Sequence, residues 1–442
     1  MTEALPGGIV ARLETLGGEL AAWVRGHRGA TLAEHEAGVL GLVRLAMAGL
    51  LEEVVGLSTP GLDGRHGPLR EACPGCGARR SAQCQRERAV LTVCGSVRVA
   101  RAWYPCVGCG HGFSPVDATL GLEPRGRLSA GVADWLVHLG ATTAFRDAAD
   151  LLDRLTGLAV APETVRQRTE AAGAAAEAAI QRAAAAVAAT REPAGPVDAA
   201  PGVLVVETDG VMVRYPDGWH EVKLGLVGGQ DDGVLQAPSY VAARAGVEQF
   251  GQRLLTEAAR RGALDVVGRA GPVTGRGLAV LRAVVVLGDG AVWIWSPAAE
   301  HFGERTEIVD YFHASEHLWA VARALFGEGP AATAWADART AELRQTGAAP
   351  VRLALAAATA PTPAAAAVLR RERGYFRTNA HRMAYPAFRA QGLPIGSGAV
   401  ESAAKHLVQM RMKRPGARWS QPGAQAVLNV RCRLLSDLPL AA

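Results

Sequence analysis

The sequence predicts a multi-domain α/β protein with a mixed-sheet domain in its C-terminal half. At 442 residues the chain has material for about three domains, because one domain commonly takes ~150 residues. Six of its seven cysteines fall between Cys73 and Cys109. A Pro/Gly-rich segment at 190–201 also separates residues with helical spacing of apolar side chains from a region of short apolar and alternating runs.

The segments before position 190 are predicted to be helices around a cysteine-rich block. Residues 8–57 show helical periodicity twice, which indicates two helices in an N-terminal region 1–60. A Gly/Pro-rich stretch then leads to a cysteine-rich domain at 69–115, in which a β-hairpin is expected around Gly95. The Ala-rich run 171–189 predicts a long helix, since Ala has the highest helix propensity.

The pattern after the segment 190–201 predicts a mixed sheet at 202–435. One helix is expected over Val247–Arg261, a helical stretch at about 314–390, and a last helix from near Gly398. The predicted strands are Val203–Glu207, Trp219–Val227, Val234–Val241, Ala283–Leu287 and Thr306–Val309.

Two cysteine pairs have the spacing of a structural zinc site. Each C-x-x-C turn supplies two thiolates and is followed by Gly, which lets the backbone bend beneath a metal. The four predicted ligands of one Zn²⁺ are Cys73, Cys76, Cys106 and Cys109, which makes 69–115 a predicted zinc ribbon. Unligated cysteines in a small core are the alternative. We expect Cys84 and Cys94 to be core or loop thiols, although either could replace a ligand.

Basic residues near the cysteines and in the following helical region, 125–190, suggest contacts with nucleic acid. Arg166 and Arg168 follow Pro162 in the second helix of a possible helix-turn-helix, where they could reach bases and phosphates; an ordinary helical hairpin is the alternative. A solvated basic face or a phosphate-binding face is expected for the arginines around the cysteines, which are Arg79, Arg80, Arg86, Arg88, Arg98 and Arg101.

Two Asp-Gly pairs follow apolar runs that look like central strands. Asp209 follows Val203–Thr208, and Asp289 follows Val284–Gly288. Carboxylates at the ends of central strands are typical metal ligands of α/β enzymes, although Asp-Gly is also a common hairpin turn. Glu207 lies on the same strand face as Asp209 and is the main competing candidate.

A third acid, Glu401, is expected at the start of the last helix. It could cap that helix as its third residue if Gly398 were the N-cap. The basic residues after it favour a different role, because they could hold a DNA backbone beside the three acids. The basic residues predicted to do so are Lys405, Arg411, Lys413, Arg414 and Arg418.

These motifs together resemble the ISKra-type insertion-sequence transposases, which are DDE enzymes with an RNase H-like catalytic domain. The resemblance extends over nearly the whole chain from about residue 70. Besides the cysteine knuckles, it rests on Glu207-Thr-Asp-Gly-Val211, Gly288-Asp-Gly290, Asp310-Tyr-Phe-His-Ala-Ser-Glu-His-Leu318 and, most specifically, Leu393-Pro-Ile-Gly-Ser-Gly-Ala-Val-Glu-Ser402.

The resemblance implies DNA strand cleavage and strand transfer by an RNase H-like domain with a helical insertion. Asp209, Asp289 and Glu401 would hold two Mg²⁺ or Mn²⁺ ions. Asp310 and His313 would be supporting residues near the flanking DNA. The implied partners are the terminal inverted repeats of a transposon and target DNA. A homo-dimer or larger assembly is expected, because two transposon ends must be processed together.

Two other functions remain open from the sequence. His313, Glu316 and His317 also fit the H-x-x-E-H pattern of zinc metallopeptidases, with Glu401 as a possible third ligand. A DNA-binding regulator that retains a transposase fold without catalysis is the second alternative.

Composition sets broad limits on the location and partners of the chain. A net charge of +5 is too small to establish a nucleic-acid partner by itself. No run approaches the ~18 apolar residues of a membrane span, and residues 1–40 lack a signal-peptide pattern. We therefore expect no membrane partner and a cytoplasmic protein, and the transposase resemblance implies association with the nucleoid.

Overall fold

The computed structural model describes residues 6–59, 70–190, 202–231, 233–261 and 283–436. The chain forms two compact units. One comprises Met1–Gly140 and Phe145–Arg168, and the other comprises Ala141–Ala144 and Thr169–Ala442. The two predicted interdomain segments, apart from Thr59 and Thr190, lie outside the described residues.

The first unit begins with two helices and a small β structure. Thr31 caps the second helix reciprocally with Glu34, which fixes where that helix begins. The elements are α1 (Gly7–Gly26), α2 (Leu32–Ser58), β1 (Glu71–Ala72), β2 (Arg79–Arg80), β3 (Cys84–Thr92), β4 (Gly95–Pro105), β5 (Gly112–Phe113) and α3 (Pro115–Thr119). Strands β3 and β4 pair antiparallel through the turn before Gly95, which confirms the predicted hairpin.

Three further helices follow, and two of them contribute residues to both units. They are α4 (Ala130–Thr142), α5 (Phe145–Thr156) and α6 (Pro162–Thr190). Within the first unit, Val132, Leu136, Leu152 and Val165 form a common buried cluster. The Ala-rich run is helical as predicted, as the C-terminal part of α6.

The second unit contains a five-stranded mixed sheet. Strands β6, β7 and β8 form an antiparallel meander, whereas β9 pairs parallel with β6 and β10 pairs parallel with β9. The resulting order is β10-β9-β6-β7-β8. This sheet confirms the prediction of an α/β protein with a mixed sheet in its C-terminal half. The strands are β6 (Val203–Tyr215), β7 (Gly218–Asp231), β8 (Val234–Ala243), β9 (Ala283–Gly288) and β10 (Thr306–Val309).

The prediction that the first strand ends at Asp209 is wrong. Strand β6 continues through Gly210 to Tyr215, and the hairpin turn lies between Tyr215 and Gly218. Gly210 is therefore a paired residue of the ladder, opposite Lys223 of β7, and not part of a turn.

Helices cover the sheet and form the predicted insertion. The helical stretch expected at 314–390 is confirmed, since most of α9 and all of α10–α13 occupy it. The helices are α7 (Val247–Arg260), α8 (Val292–His301), α9 (Tyr311–Phe326), α10 (Pro330–Thr346), α11 (Ala348–Ala357), α12 (Pro363–Thr378), α13 (Tyr385–Ala390), α14 (Gly398–Ala403), α15 (Met410–Met412) and α16 (Gln421–Leu435). A π-helical segment, Ala404–Gln409, joins α14 to α15.

The core of the second unit extends from the sheet to the end of α6 and into the insertion. Val187 of α6 belongs to the same buried cluster as Leu204 and Val206 of β6 and Leu369 of α12. None of the helices in the described ranges combines the length and apolarity of a membrane span.

Candidate active site and metal centre

The four predicted zinc-binding cysteines lie together. Their sulfur atoms are all within 4.8 Å of one another. The Sγ atoms of Cys73 and Cys109 are 3.6 Å apart, and those of Cys76 and Cys106 are 3.5 Å apart. A tetrahedral ion with Zn–S bonds of ~2.3 Å needs sulfur–sulfur separations of ~3.8 Å. The cluster could therefore hold a structural zinc ion, with no open position for a catalytic water.

Hydrogen bonds shape both knuckles around the sulfur atoms. Gly77 N–H donates to the Cys73 carbonyl at 2.8 Å, and Gly110 N–H donates to the Cys106 carbonyl at 2.9 Å. Both glycines have φ of +72°, which other residues rarely adopt. Although burial raises the pKa of the Cys106 thiol, hydrogen bonds from Cys109 N–H and Arg80 lower it to about 6. This favours the thiolate at Cys106, whereas the hydrogen bond to Cys106 helps to raise the pKa of the neighbouring Cys109 thiol.

The remaining cysteines stand outside this cluster. Cys84 is exposed at the start of β3, Cys94 is half-buried in the hairpin turn, and Cys432 is buried in α16. None of these three joins a group of metal-ligating side chains among the residues that the structure describes. The prediction that Cys84 and Cys94 are loop or core thiols fits their positions.

Several arginines near the knuckles have structural partners. Arg88 is buried, and it donates to the Gly126 carbonyl at 3.1 Å and pairs with Asp117 at 3.1 Å. Arg101 pairs with the same carboxylate, and Arg86 stacks on Trp103. Arg88 in particular cannot belong to an exposed phosphate-binding face.

Asp209 and Asp289 are neighbours because their strands are parallel and in register. Thr208 of β6 pairs with Gly288 of β9. Asp209 directly follows Thr208, and Asp289 directly follows Gly288. Asp209 lies within its strand, whereas Asp289 follows its strand and accepts a hydrogen bond from Ala291 N–H at 2.7 Å. Adjacent strands are ~4.8 Å apart, which places the two carboxylates at one edge of the sheet.

Glu401 belongs to a short helix that two buried carboxylates hold in place. Val400 N–H donates to Oε2 of Glu207 at 2.8 Å. Ser397 donates to Oδ2 of Asp310 through its backbone N–H and, at 2.7 Å, through its hydroxyl. The N-terminal N–H groups of α14 thus obtain acceptors from β6 and from the residue after β10.

The capping explanation for Glu401 is not supported. Ser397 and not Gly398 is the N-cap, so Glu401 is the fourth residue of the helix. Its side chain is exposed, in contrast to Glu207, which does satisfy a helical N–H. The sequence had ranked Glu207 only as a competitor of Asp209 for the same role.

Asp310 does not occupy the place predicted for it near flanking DNA. It is 0% exposed, and its second oxygen accepts from His313 N–H at 2.6 Å, which caps α9. A fully buried carboxylate cannot contact DNA. Its partners indicate that Asp310 instead fixes the start of α9 and the Gly-Ser-Gly loop at the same point.

The charges of Asp289 and Glu401 both act on Asp209. Burial raises the pKa of Asp209, the negative charges of Asp289 and Glu401 raise it further, and His313 lowers it. Burial likewise raises the pKa of Glu207 to about 7, with added repulsion from Asp310 and Glu401. Burial and neighbouring negative charges thus both disfavour the ionised forms of Asp209 and Glu207, and a nearby divalent cation would relieve this.

The three acids do not form a tight single-ion cluster. Within the described ranges, only the four cysteines bring three or more metal-ligating atoms all within 4.8 Å of one another. Asp209, Asp289 and Glu401 are therefore spread more widely. A two-metal site has ions ~3.5–4 Å apart, so a wider set of carboxylates is compatible with it.

His313 is the end of a hydrogen-bonded chain that begins at a buried carboxylate. His317 Nδ1 lies 2.5 Å from Oε2 of Glu372, which is fully buried, and its Nε2 lies 3.2 Å from Nε2 of His313. Tyr375 stacks on the His317 ring and donates from its hydroxyl to the Asp289 carbonyl at 2.9 Å. The insertion thereby contacts the edge that carries Asp209 and Asp289.

The metallopeptidase pattern lacks a third ligand in the structure. His313 and His317 face each other through Nε2, but no third metal-ligating side chain joins them among the described residues. The Glu316 side chain is 79% exposed. The nearest carboxylate to His317 is Glu372, which lies on its Nδ1 side and orients the ring.

The predicted DNA-binding residues divide into exposed and buried groups. Lys405, Lys413, Arg414 and Arg418 are exposed. Arg411 is only 3% exposed and stacks on Trp419, so its prediction as a DNA contact is wrong.

Arg166 and Arg168 form ion pairs within the first unit. Arg166 pairs with Glu163 on the same helix, and Arg168 with Glu123, with closest atoms 2.5 Å and 2.6 Å apart. Such surface pairs contribute only ~0–1 kcal/mol, so phosphate groups could replace these carboxylates. Helices α5 and α6 are separated by a bend at Gly157, but α6 extends over 29 residues.

A cleft of about 860 Å³ opens beside the residue that follows Asp289. Gly290 and Asn379 line it, together with Arg305 and Arg382, whose guanidinium groups both pair with Glu307. None of the three candidate acids is among the residues that line the cleft.

The chain matches no protein-family model and no curated protein sequence. Assignment of function therefore rests on the residues of the site itself.

Proposed function

We propose that this chain is a DNA transposase of the DDE type, with Asp209, Asp289 and Glu401 as its catalytic acids. The observation that carries the proposal is the pairing of Thr208 with Gly288, which makes the two aspartates neighbours on parallel strands. An RNase H-like domain requires such a mixed sheet to bring together acids that are far apart in the sequence. The resemblance to ISKra-type motifs implies the same three residues.

DNA cleavage at this edge of the sheet would need divalent cations and residues that bind the DNA phosphates. Two Mg²⁺ or Mn²⁺ ions would activate the attacking oxygen of water or of a 3′-hydroxyl and stabilise the leaving oxygen. Oxygen ligands suit these hard ions, and the mutual repulsion around Asp209 favours cation binding. Lys405, an exposed residue one helical turn after Glu401, would contact a phosphate.

The remaining residues of the edge position the catalytic acids. Glu207 and Asp310 hold the helix that carries Glu401, and Tyr375 holds the backbone of Asp289. Glu372 orients His317, which in turn contacts His313. Such hydrogen bonds keep catalytic groups close to the positions and orientations that the reaction requires.

The proposal is tested with duplex DNA that carries the sequences flanking the reading frame, incubated with the protein and Mg²⁺ or Mn²⁺. We expect strand cleavage by the unaltered protein. Asp209→Asn, Asp289→Asn and Glu401→Gln should each lower the rate about a hundredfold or more, because each removes a negatively charged ligand of the metal ions.

Asp337→Asn is a matched control, since Asp337 is an exposed acid on α10. It should cleave like the unaltered protein. If Asp289→Asn cuts as fast as Asp337→Asn, the assignment of the acids is wrong. DNA binding without cleavage by the unaltered protein would favour the non-catalytic regulator.

A further inference from the structure

A groove rich in arginine lies on the helical insertion, between α11 and α12. Its volume is about 590 Å³. Nine residues line it; four are arginines and none is acidic, which leaves the groove with a strong local excess of positive charge. The arginines are Arg352 of α11 and Arg370, Arg373 and Arg377 of α12. We call these residues the arginine groove.

The three arginines of α12 share one helical face. Positions separated by three, four and seven residues align along a helix, so Arg370, Arg373 and Arg377 form a stripe. The adjacent face of α12 carries Leu369, Glu372 and Phe376, which are buried. The stripe therefore borders the buried face, with Arg370 and Arg377 exposed and Arg373 half-buried.

One arginine is fixed, and the other three remain available. Arg373 donates to the carbonyls of Leu355, Ala356 and Ala358 at 2.8, 3.0 and 2.9 Å, and so closes the C-terminal end of α11. The side chains of Arg352, Arg370 and Arg377 are exposed and form no ion pair within the described part of the chain. Like charges at such close spacing repel each other unless a polyanion lies between them.

A glycine keeps the floor of the groove open. Gly374 lies inside α12, where Gly costs about 1 kcal/mol relative to Ala. A Cβ at this position would meet no atom within 4 Å, so packing within the protein does not require Gly. The absence of a side chain instead allows a ligand to approach the helix backbone closely.

We propose that the arginine groove binds the phosphate backbone of duplex DNA away from the bond that is cleaved. Seven residues of helix span about 10 Å between Arg370 and Arg377, which matches about three base steps of ~3.4 Å along one strand. Guanidinium groups bind phosphates bidentately, which favours Arg over Lys at such a surface.

The groove and the candidate active site are carried by the same helix. Tyr375, on the side of α12 away from the arginine stripe, donates to the carbonyl of Asp289. DNA bound along the stripe is therefore attached to an element that directly contacts the catalytic edge. This inference deepens the proposed function, since it adds a second DNA-binding surface to the same enzyme.

The test measures binding of a labelled duplex of about 30 bp, roughly three helical turns, without divalent metal so that cleavage does not interfere. The variant carries Arg352→Gln, Arg370→Gln and Arg377→Gln. We expect affinity to fall about tenfold or more and the slope of log K against log salt to become shallower by about two to three, because each phosphate contact contributes ~0.9.

A matched control replaces three exposed arginines outside the groove, Arg182, Arg323 and Arg389, with Gln. It should keep most of the affinity and the salt slope. A second variant, Gly374→Leu, fills the groove without changing charge and should also weaken binding, whereas its thermal unfolding should occur at the same or a higher temperature.

Two outcomes would overturn the proposal. One is equal loss of duplex affinity in the groove variant and the control triple. The other is a groove variant that binds duplex DNA normally but loses affinity for single-stranded RNA or polyglutamate. Failure of the proposed function is distinguishable, because duplex binding through the groove can persist in a protein that does not cleave DNA.

Discussion

Glu207 and Asp310 differ from Asp209 and Asp289 in what their oxygens already bind. Glu207 accepts a hydrogen bond from Val400 N–H, and Asp310 accepts one from Ser397 N–H, both donors lying just before Glu401. Sequence alone could not distinguish Glu207 from Asp209, because both are acids on one face of one strand. Only the fold shows that Val400, 193 positions away from Glu207, donates to it.

Replacement of Glu207 should separate a positioning role from a structural one. Glu207→Gln keeps an oxygen acceptor for Val400 N–H, and we expect near-normal stability and cleavage. Glu207→Ala leaves that buried N–H unsatisfied, which should lower the free energy of unfolding by about 1–3 kcal/mol. It should also slow cleavage about tenfold at saturating DNA, since Glu401 loses its fixed position.

Chemical denaturation and single-turnover cleavage measure the two effects. Glu221→Ala is a control at a half-buried glutamate on the neighbouring strand β7. Equal cleavage by Glu207→Gln and Glu207→Ala would show that the hydrogen bond to Val400 does not position Glu401.

At the level of elements, strand β10 was predicted from its apolar run with the observed bounds, and the other strands were predicted in part. The main error came from Asp209-Gly210, because Asp-Gly favours turns in isolation. In the fold, pairing with β7 continues past this point, through Gly210 opposite Lys223 to Tyr215 opposite Gly218. Contacts between strands overrode the local turn preference.

The cysteine knuckles also define an element-level prediction. Purified protein should contain one zinc ion per chain, and Cys106→Ser should abolish zinc binding. Metal removal by a chelator should increase amide hydrogen exchange across residues 70–114, since a structural zinc site contributes much of the folding free energy of a small domain. Zinc content and exchange rates are the measurements.

Cys84→Ser is the matched control for the zinc prediction, because Cys84 is exposed and outside the cluster. It should retain the full zinc content. Protein that folds in zinc-supplemented medium without metal, and whose exchange does not respond to chelation, would contradict a structural zinc site.

Helix α6 is tied to its neighbours by Glu177, and this link predicts a pH dependence. Glu177 pairs with Arg253 of α7 and accepts from Asn429 of α16 at 2.8 Å. Although burial opposes ionisation, Arg253, Asn429 and Gln181 hold the pKa of Glu177 below its usual value of 4.5. Its stabilisation is therefore present above pH ~4.5 and is lost as pH falls through the lowered pKa.

Glu177→Gln should lower the free energy of unfolding by about 2 kcal/mol at neutral pH. The difference from the unaltered protein should stay constant between pH 6 and 8 and shrink below pH ~4.5, because Gln does not titrate. Denaturant unfolding at several pH values measures it. A difference that grows on acidification would contradict this role of Glu177.

At the scale of the whole molecule, the borders of the compact units differ from the predicted domain borders. The sequence suggested separate domains at 125–190 and 202–435, whereas residues from Thr169 onward belong to the unit that contains the sheet. The sequence of an Ala-rich helix does not indicate which face packs against the rest of the protein, because alanine occupies all of its faces. Gly173 is the exception: a Cβ there would lie 2.1 Å from the Ala426 carbonyl of α16.

The choice of fragment should therefore determine whether the sheet unit folds alone. A fragment that begins at residue 160 keeps α6, whereas one that begins at residue 202 leaves Arg253 buried without Glu177. The shorter fragment should be less stable by about 3 kcal/mol or more. Soluble yield and denaturant unfolding provide the comparison, and equal stability of the two fragments would contradict the packing of α6 on this unit.

The hydrogen bonds of Asp310 also close the helical insertion at its base. Tyr311 N–H donates to the Ile395 carbonyl at 2.8 Å, and the Ser397 hydroxyl donates to Asp310 at 2.7 Å. The first and last residues of the insertion are therefore hydrogen-bonded to each other next to the end of β10. Because its two ends are held together in this way, the insertion is attached to the sheet domain at a single place. Its length and surface could change during evolution, or be exchanged by design, while Glu401 keeps its place beside the two aspartates.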